Sequence, residues 1–248
     1  LVFANGQLGV EALKIFLKKK YNIVGIVTHP ISFATNHDQI IKLSKLKKNR
    51  IISYDELDSK KNWLSNIDPT ICFSFWSSFI IPQELLKKIP LGVYNLHNSL
   101  LPSYKGSGAN IWPIIDNQKF SGASLHRVTK MVDSGPIIAQ KKISINKTET
   151  GLTLFKKQQK EMMNLLKKNI NNIFLNYQIN YIKNNLKNSF VSKIKRDLHK
   201  EIKLNVKYKA KKLFQIINAY NFGDLDSAFF TDDQGQKWNI KISLRKRK

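Results

Sequence analysis

Val93-Tyr94-Asn95-Leu96-His97-Asn98-Ser99-Leu100-Leu101-Pro102 is the stretch on which the reading of this chain turns. Val93 to Leu96 is short and apolar, entered through Gly92 and closed off by Pro102, which predicts a buried strand. Side chains alternate along a strand, so Asn95 and His97 share one side and Leu96 faces the other. An amide and an imidazole therefore meet at the strand's carboxyl end, where open α/β sheets bind ligands. An amide N–H can stabilise a developing oxyanion, and a histidine can move a proton. Further on, Asp133-Ser134-Gly135 offers a carboxylate able to fix the imidazole tautomer and stabilise its cation. Asn95, His97 and Asp133 together suit acyl transfer to an amine without a covalent enzyme intermediate. Taken alone, Asn-x-His at a strand end also reads as plain structure; only the surrounding string separates the two.

Upstream of this strand the chain alternates strands and helices. Leu1–Ala4, Ile23–Val27, Ile51-Ile52 and Ile71–Phe75 read as strands, with helices over Leu8–Lys19, Gln39–Lys48 and Pro82–Lys88. Such alternation predicts an α/β fold with a doubly wound, mostly parallel sheet. Downstream, Ala109–Ile115 begins a helix, and Gly122–Val128 and Pro136–Ile145 read as later strands. Leu152, Phe155, Met162, Leu166, Ile170 and Ile173 fall at helical spacing, predicting a long helix from Thr150 to about Tyr177 whose apolar stripe is core. Asn-rich sequence over Tyr177–Asn188 reads as a linker or frayed helix. A short helix over Lys209–Ala219 precedes a hairpin signal, in which Phe229-Phe230 and Trp238–Ile242 flank a turn at Asp232–Gly235. These boundaries give a catalytic domain over 1–176, a linker over 177–195 and a small α+β domain over 196–248.

At 248 residues and 42% apolar content, the chain can bury one ordinary core and a smaller one. No apolar run approaches the roughly 20 residues of a membrane helix, and the chain opens directly in a strand without a charged leader, although it lacks an initiator Met. Cys72 is the only cysteine, which excludes an internal disulfide and a cysteine-based zinc cluster. A cytoplasmic protein is expected. The net charge is +25, with residues 1–150 at +10 (20 Lys+Arg against 10 Asp+Glu) and residues 151–248 at +15 (22 against 7). Charge of this size can mark an anionic partner. Lys outnumbers Arg 37 to 5, however, and Asn and Ile are also abundant. Those residues share AT-rich codons, and lysine is the weaker choice for bidentate phosphate recognition. The charge therefore reads as codon usage on a solvated surface.

The string Asn95-Leu96-His97-Asn98-Ser99-Leu100-Leu101-Pro102-Ser103-Tyr104-Lys105-Gly106, then Gly122-Ala123-Ser124-Leu125-His126, then Asp133-Ser134-Gly135-Pro136-Ile137-Ile138-Ala139-Gln140, resembles the folate-dependent formyltransferase family. That resemblance implies a Rossmann-like domain that uses 10-formyltetrahydrofolate to formylate a primary amine, with Asn95, His97 and Asp133 as the catalytic trio. At the back, Arg196–Ile202, Ala228-Phe229-Phe230, Gly235 and the Trp238–Ile242 strand resemble the small C-terminal domain of longer members. Trp112-Pro113-Ile114-Ile115 is close to a pattern in the sugar N-formyltransferases of that family, which act on nucleotide-linked amino sugars. The implied function is formylation of a dTDP-4-amino-sugar.

By the same resemblance, the loop Trp76, Ser77, Ser78, Phe79 and Ile80, with Val132 beside the catalytic aspartate, lines the folate pocket. Ser99, Lys105, Gly106 and Gly108 lie on the substrate side, where small residues let a ligand approach backbone amides. Trp76 also reads as a packed aromatic, and Gly106-Ser107-Gly108 as a connecting loop. Gly6 and Gly9 lack the full dinucleotide fingerprint and read as a tight strand-to-helix turn. His126 reads as a side chain satisfying a neighbouring backbone group, since His97 fills the catalytic position. No His/Asp/Glu grouping has metal-site spacing. Methionyl-tRNA formylation is the competing enzyme reading, favoured by the basic C-terminal third; a non-catalytic module of formyltransferase shape is the competing reading of another class. A homodimer through the C-terminal hairpin is a further expectation.

Overall fold

In the computed structural model, short apolar segments from the first hundred residues lie side by side as buried strands. These are β1 (Val2–Ala4), β2 (Ile26–Thr28), β3 (Ile51–Ser53), β4 (Cys72–Phe75) and β5 (Val93–His97). The structure describes residues 1–60, 62–75, 79–175, 181–182 and 187–244. With β7 (Phe120–Arg127) and β8 (Ile137–Ser144) they form a seven-stranded sheet in the order β3-β2-β1-β4-β5-β7-β8. Every pairing from β3 through to β5 is parallel. The order runs out from β1 in both directions, so the sheet is doubly wound as the alternation predicts, and such a reversal is where α/β sheets open a ligand crevice.

The helices are α1 (Gly6–Lys18), α2 (His37–Ser44), α3 (Trp63–Ile67), α4 (Gln83–Lys88), α5 (Trp112–Ile115), α6 (Gly151–Phe174), α7 (Lys193–Leu198) and α8 (Ala210–Ala219). Helix α2 stops four residues before the expected Lys48, because Lys45 takes a left-handed conformation with φ +55°. Helix α4 starts just after Pro82, whose fixed φ prepares a first turn. A parallel ribbon of β6 (Lys105–Gly106) with β9 (Phe190–Val191) was not expected: two-residue strands carry no periodicity to read. The hairpin β10 (Ala228–Thr231) with β11 (Lys237–Ile240) is antiparallel, with Phe230 opposite Trp238.

The chain divides into two compact units. The first comprises Leu1–His97, Leu125–Ala139 and Met162–Lys183; the second comprises Asn98–Ser124, Gln140–Glu161 and Asn184–Lys248. Strands β7 and β8 and helix α6 give residues to both. In the first unit, Phe3, Val27, Ile52, Cys72 and Val93 of the sheet pack with Trp63 and Ile67 of α3 and Leu85 of α4. Burial without a charged partner able to offset it pushes the Cys72 thiol up to about 12. In the second unit, Trp112, Ile114 and Ile115 of α5 pack with Ile216 and Ile217 of α8, together with Leu154, Val191 and Ile202. The tryptophan of the Trp-Pro-Ile-Ile run is thus a core residue, with the His199 ring edge-on at 4.9 Å and the Lys195 ammonium over its face at 5.0 Å. Among the described residues, no helix is long and apolar enough to cross a membrane.

Candidate active site

Strand β5 delivers the candidate residues as its alternation predicts. Val93, Tyr94 and Leu96 are buried, Asn95 is half-buried in register with Ser74 of β4, and His97 closes the strand at 6% exposure. The loop after β7 brings the carboxylate. Its base is pinned by the Arg127 N–H, which donates to the Pro136 carbonyl at 2.9 Å. Gly135 makes that closure possible: a Cβ there would sit 1.8 Å from the Arg127 carbonyl oxygen. Within the loop Asp133 adopts φ +47°, a left-handed conformation that Asp tolerates better than most residues.

The result is a cluster lying wholly within the first unit. His97 Nδ1 is 3.4 Å from Asp133 Oδ2, and the other carboxylate oxygen, Oδ1, is 3.5 Å from Nε2 of His126. The Asn95 amide nitrogen is 3.2 Å from the same His126 Nε2. His126 is 1% exposed, and its Nδ1 lies 3.0 Å from the Arg127 carbonyl. The expected trio is therefore brought together, and a fourth residue joins it. His126 does satisfy a neighbouring backbone group, as read from sequence, but only with one of its two ring nitrogens. The missed signal was its alternation with Ser124 along a strand that runs beside β5.

Such a cluster can do three things chemically. A carboxylate facing an imidazole fixes its orientation and stands ready to take up a proton. An amide nitrogen beside it supplies donors, and low exposure lowers the local dielectric, which strengthens every charge interaction. Of the pocket loop, Trp76, Ser77 and Ser78 lie outside the described residues. The Phe79 ring stacks on Tyr54 at 4.4 Å and meets His29 edge-on at 4.9 Å. The Tyr54 hydroxyl donates to the Ile80 carbonyl. Burial holds His29 below the ordinary histidine value, partly opposed by a hydrogen bond with the Phe33 backbone. Ile80 and Val132 are 68% and 41% exposed, leaving aliphatic surface on the loops that follow β4 and β7. Among the described residues, no group of three or more metal-ligating side chains is present.

The residues read as substrate-side belong to the second unit and have packing roles there. Ser99 is fully buried; its hydroxyl donates to the Ser103 carbonyl at 2.6 Å, and its own carbonyl accepts from Ser124 Oγ at 2.6 Å. Lys105 and Gly106 form β6, and a Cβ on Gly106 (φ +83°) would sit 2.5 Å from the Val191 carbonyl oxygen. Gly108 (φ +79°) lies against Trp112 and Arg196, whose Nη1 donates to Ser107 Oγ at 3.0 Å. The long-range participants in this loop, Arg196 and Gln158, carry no local sequence signal.

Residues 64–170 match the formyl transferase family, and residues 196–246 match the N-formyltransferase dimerization C-terminal domain. Over residues 64–170 the chain carries a formyl transferase domain. It is 33% identical over 181 residues to the bifunctional polymyxin resistance protein ArnA of Wigglesworthia glossinidia brevipalpis. That alignment covers 71% of this chain and 28% of the relative, so the chain spans under a third of that protein's length. Among solved structures, a 4-N formyltransferase from Francisella tularensis superposes with a TM-score of 0.82 at 21% identity, covering 99% of this chain and 97% of that one. An N-formyltransferase from Helicobacter canadensis, in complex with folinic acid and dTDP-3-aminofucose, gives 0.67 at 24% identity, covering 88% and 78%. At these identities the structural likeness is one of fold: a formyltransferase α/β sheet followed by a C-terminal domain.

Proposed function

We propose that this formyltransferase moves the formyl group of 10-formyltetrahydrofolate to the primary amine of a nucleotide-linked amino sugar, of the dTDP-4-amino-sugar type. The observation that carries the reading is the Asn95–His97–Asp133 cluster at the carboxyl end of β5. Bound 10-formyltetrahydrofolate would supply the electrophilic formyl carbon, and the exposed Ile80 and Val132 fit an apolar ring system beside it. Asn95 and His97 hydrogen-bond the formyl oxygen as negative charge develops there during attack by the neutral amine. Asp133 orients His97, stabilises its charged form and accepts the proton the amine sheds. Asp133 would pass that proton on to the folate nitrogen as its bond to the formyl carbon breaks, so the amine's proton ends on the released tetrahydrofolate.

The Helicobacter protein holds a folate and a dTDP-amino sugar, and the Francisella protein is a 4-N formyltransferase; both support this donor and this acceptor class. On this reading residues 1–176 form the catalytic domain, 177–195 a linker and 196–248 a domain through which two copies pair in the cytoplasm. Phe79, Ile80 and Val132 border the folate on the same reading.

The test is tetrahydrofolate release from 10-formyltetrahydrofolate with a dTDP-4-amino-sugar and, separately, with methionyl-tRNA. Turnover with the sugar alone is expected. Turnover with the tRNA alone, weakening steeply with salt as phosphate contacts release counterions, overturns the acceptor assignment. Failure with both amines and no folate binding leaves a non-catalytic module.

A further inference from the structure

His126 is almost wholly buried, yet the formyl-transfer scheme gives it no task. Its surroundings restrict what its ring can carry. Nδ1 lies 3.0 Å from the carbonyl oxygen of Arg127, which can only accept, so Nδ1 bears a proton. In the neutral ring Nε2 is then a lone pair. The Asn95 amide nitrogen, a donor, lies 3.2 Å from it, with Asp133 Oδ1 farther off at 3.5 Å. A proton on Nε2 would meet the Asn95 amide donor to donor. The two contacts are thus mutually consistent only when the Asn95 amide donates to His126.

That matters because the two ends of an asparagine amide are alike in size and opposite in hydrogen-bonding sense. With its oxygen turned toward developing negative charge, Asn95 would repel what it must stabilise. A buried acceptor on one side selects the nitrogen end, and an NH2 group has a second N–H to offer. We propose that His126 is a positioning residue: its Nε2 holds the Asn95 amide nitrogen in place and leaves the second N–H for the formyl oxygen. Its Nδ1–H contact with the Arg127 backbone sets the tautomer that makes this possible. The inference rests on the formyl-transfer reading.

Two measurements test it. First, the imidazole nitrogen shifts of His126 in the unliganded protein, assigned by their loss in His126→Gln, should show the Nδ1–H tautomer at neutral pH. An Nε2–H tautomer overturns the proposal whatever the turnover. Second, His126→Phe should lower kcat about 10- to 100-fold, the worth of one buried hydrogen bond in a transition state. KM should move by less than about threefold. His126→Gln, whose Oε1 can accept in place of Nε2, should recover most of the rate. The double variant Asn95→Ala/His126→Phe should be no slower than Asn95→Ala alone, because removing the positioned group removes the positioner's effect. Additive losses, or a His126→Gln variant as slow as His126→Phe, overturn the inference while the wild-type activity stands. A wild-type chain that formylates no amine removes the parent reading instead, and the tautomer still reports on the hydrogen bond.

Discussion

Two buried polar networks in this molecule invite comparison. In the first unit, Asn95, His126, Asp133 and His97 stand in a row with separations of 3.2, 3.5 and 3.4 Å. In the second, Gln158 donates to the Asn98 carbonyl at 2.6 Å, to Ser121 Oγ at 2.9 Å and to the Ala109 carbonyl at 3.3 Å. Gln140 there donates to Ser124 Oγ at 2.8 Å and to the Leu101 carbonyl at 2.9 Å. The second network is neutral, and four of these five hydrogen bonds fall between 2.6 and 2.9 Å. It fixes the backbone of the Asn98–Leu101 turn, whose next peptide bond, Leu101–Pro102, is cis. The first network sets two imidazole rings and a carboxylate beside the Asn95 amide, at 3.2 to 3.5 Å. A neutral network of this kind fixes a backbone; one that contains imidazoles and a carboxylate also holds groups able to move a proton.

Substitutions can break this contrast at either end. The largest effect is expected for Asn95→Ala and His97→Ala, each lowering kcat about 100- to 1,000-fold by loss of one donor to the formyl oxygen. Both variants should unfold in urea close to the wild-type midpoint. A matching loss of stability would make the first network structural, like the second. Gln158→Leu should do the reverse, destabilising the fold by about 2–4 kcal/mol because buried carbonyls lose their donor. Urea titration with a kcat measurement on the folded fraction checks it, and a rate loss without a stability loss would erase the distinction.

Gly135→Ala tests the support of the first network. Its Cβ cannot coexist with the Arg127 carbonyl at 1.8 Å, so the loop carrying Asp133 must shift. About 1–3 kcal/mol of stability and at least tenfold in rate should be lost together; an unaltered pH–rate profile would show that Asp133 does not need this placement. The smallest effect concerns His29. Burial lowers its pKa below the ordinary 6.5, so the unfolded chain binds the proton more tightly. Its contribution to stability is present above pH 6.5 and is lost as pH falls through the lowered folded value. The urea midpoint should therefore drop between pH 7 and pH 5, and drop less in His29→Phe.

Particular residues show how far the sequence reaches. That Asn95 and His97 share a side is legible because a strand's period of two is rigid; their place in the catalytic trio comes from the family resemblance. Asp133 was legible through its Asp-Ser-Gly string, and the glycine has a visible cause in the loop closure at Arg127. The α/β alternation predicted the doubly wound sheet, since each element's apolar pattern is local. His126 was read as half of what it is: one strand shows that a histidine is buried, not which neighbour faces its far nitrogen. Gly106 and Gly108 read either as ligand-shaping or as a connecting loop, and what lies against them, Val191, Trp112 and Arg196, is up to 88 residues away in sequence.

By itself, then, the amino-acid order determined the strand-helix alternation, the α/β class and the side that Asn95 and His97 share, because periodicity and turn chemistry act over a few residues. Only the tertiary structure decided that His126 completes the row, that Phe79 turns its ring onto Tyr54, and that Gln158 reaches the turn after His97. Those are pairings between segments 25 to 60 residues apart, selected by burial and hydrogen-bond satisfaction across the whole fold.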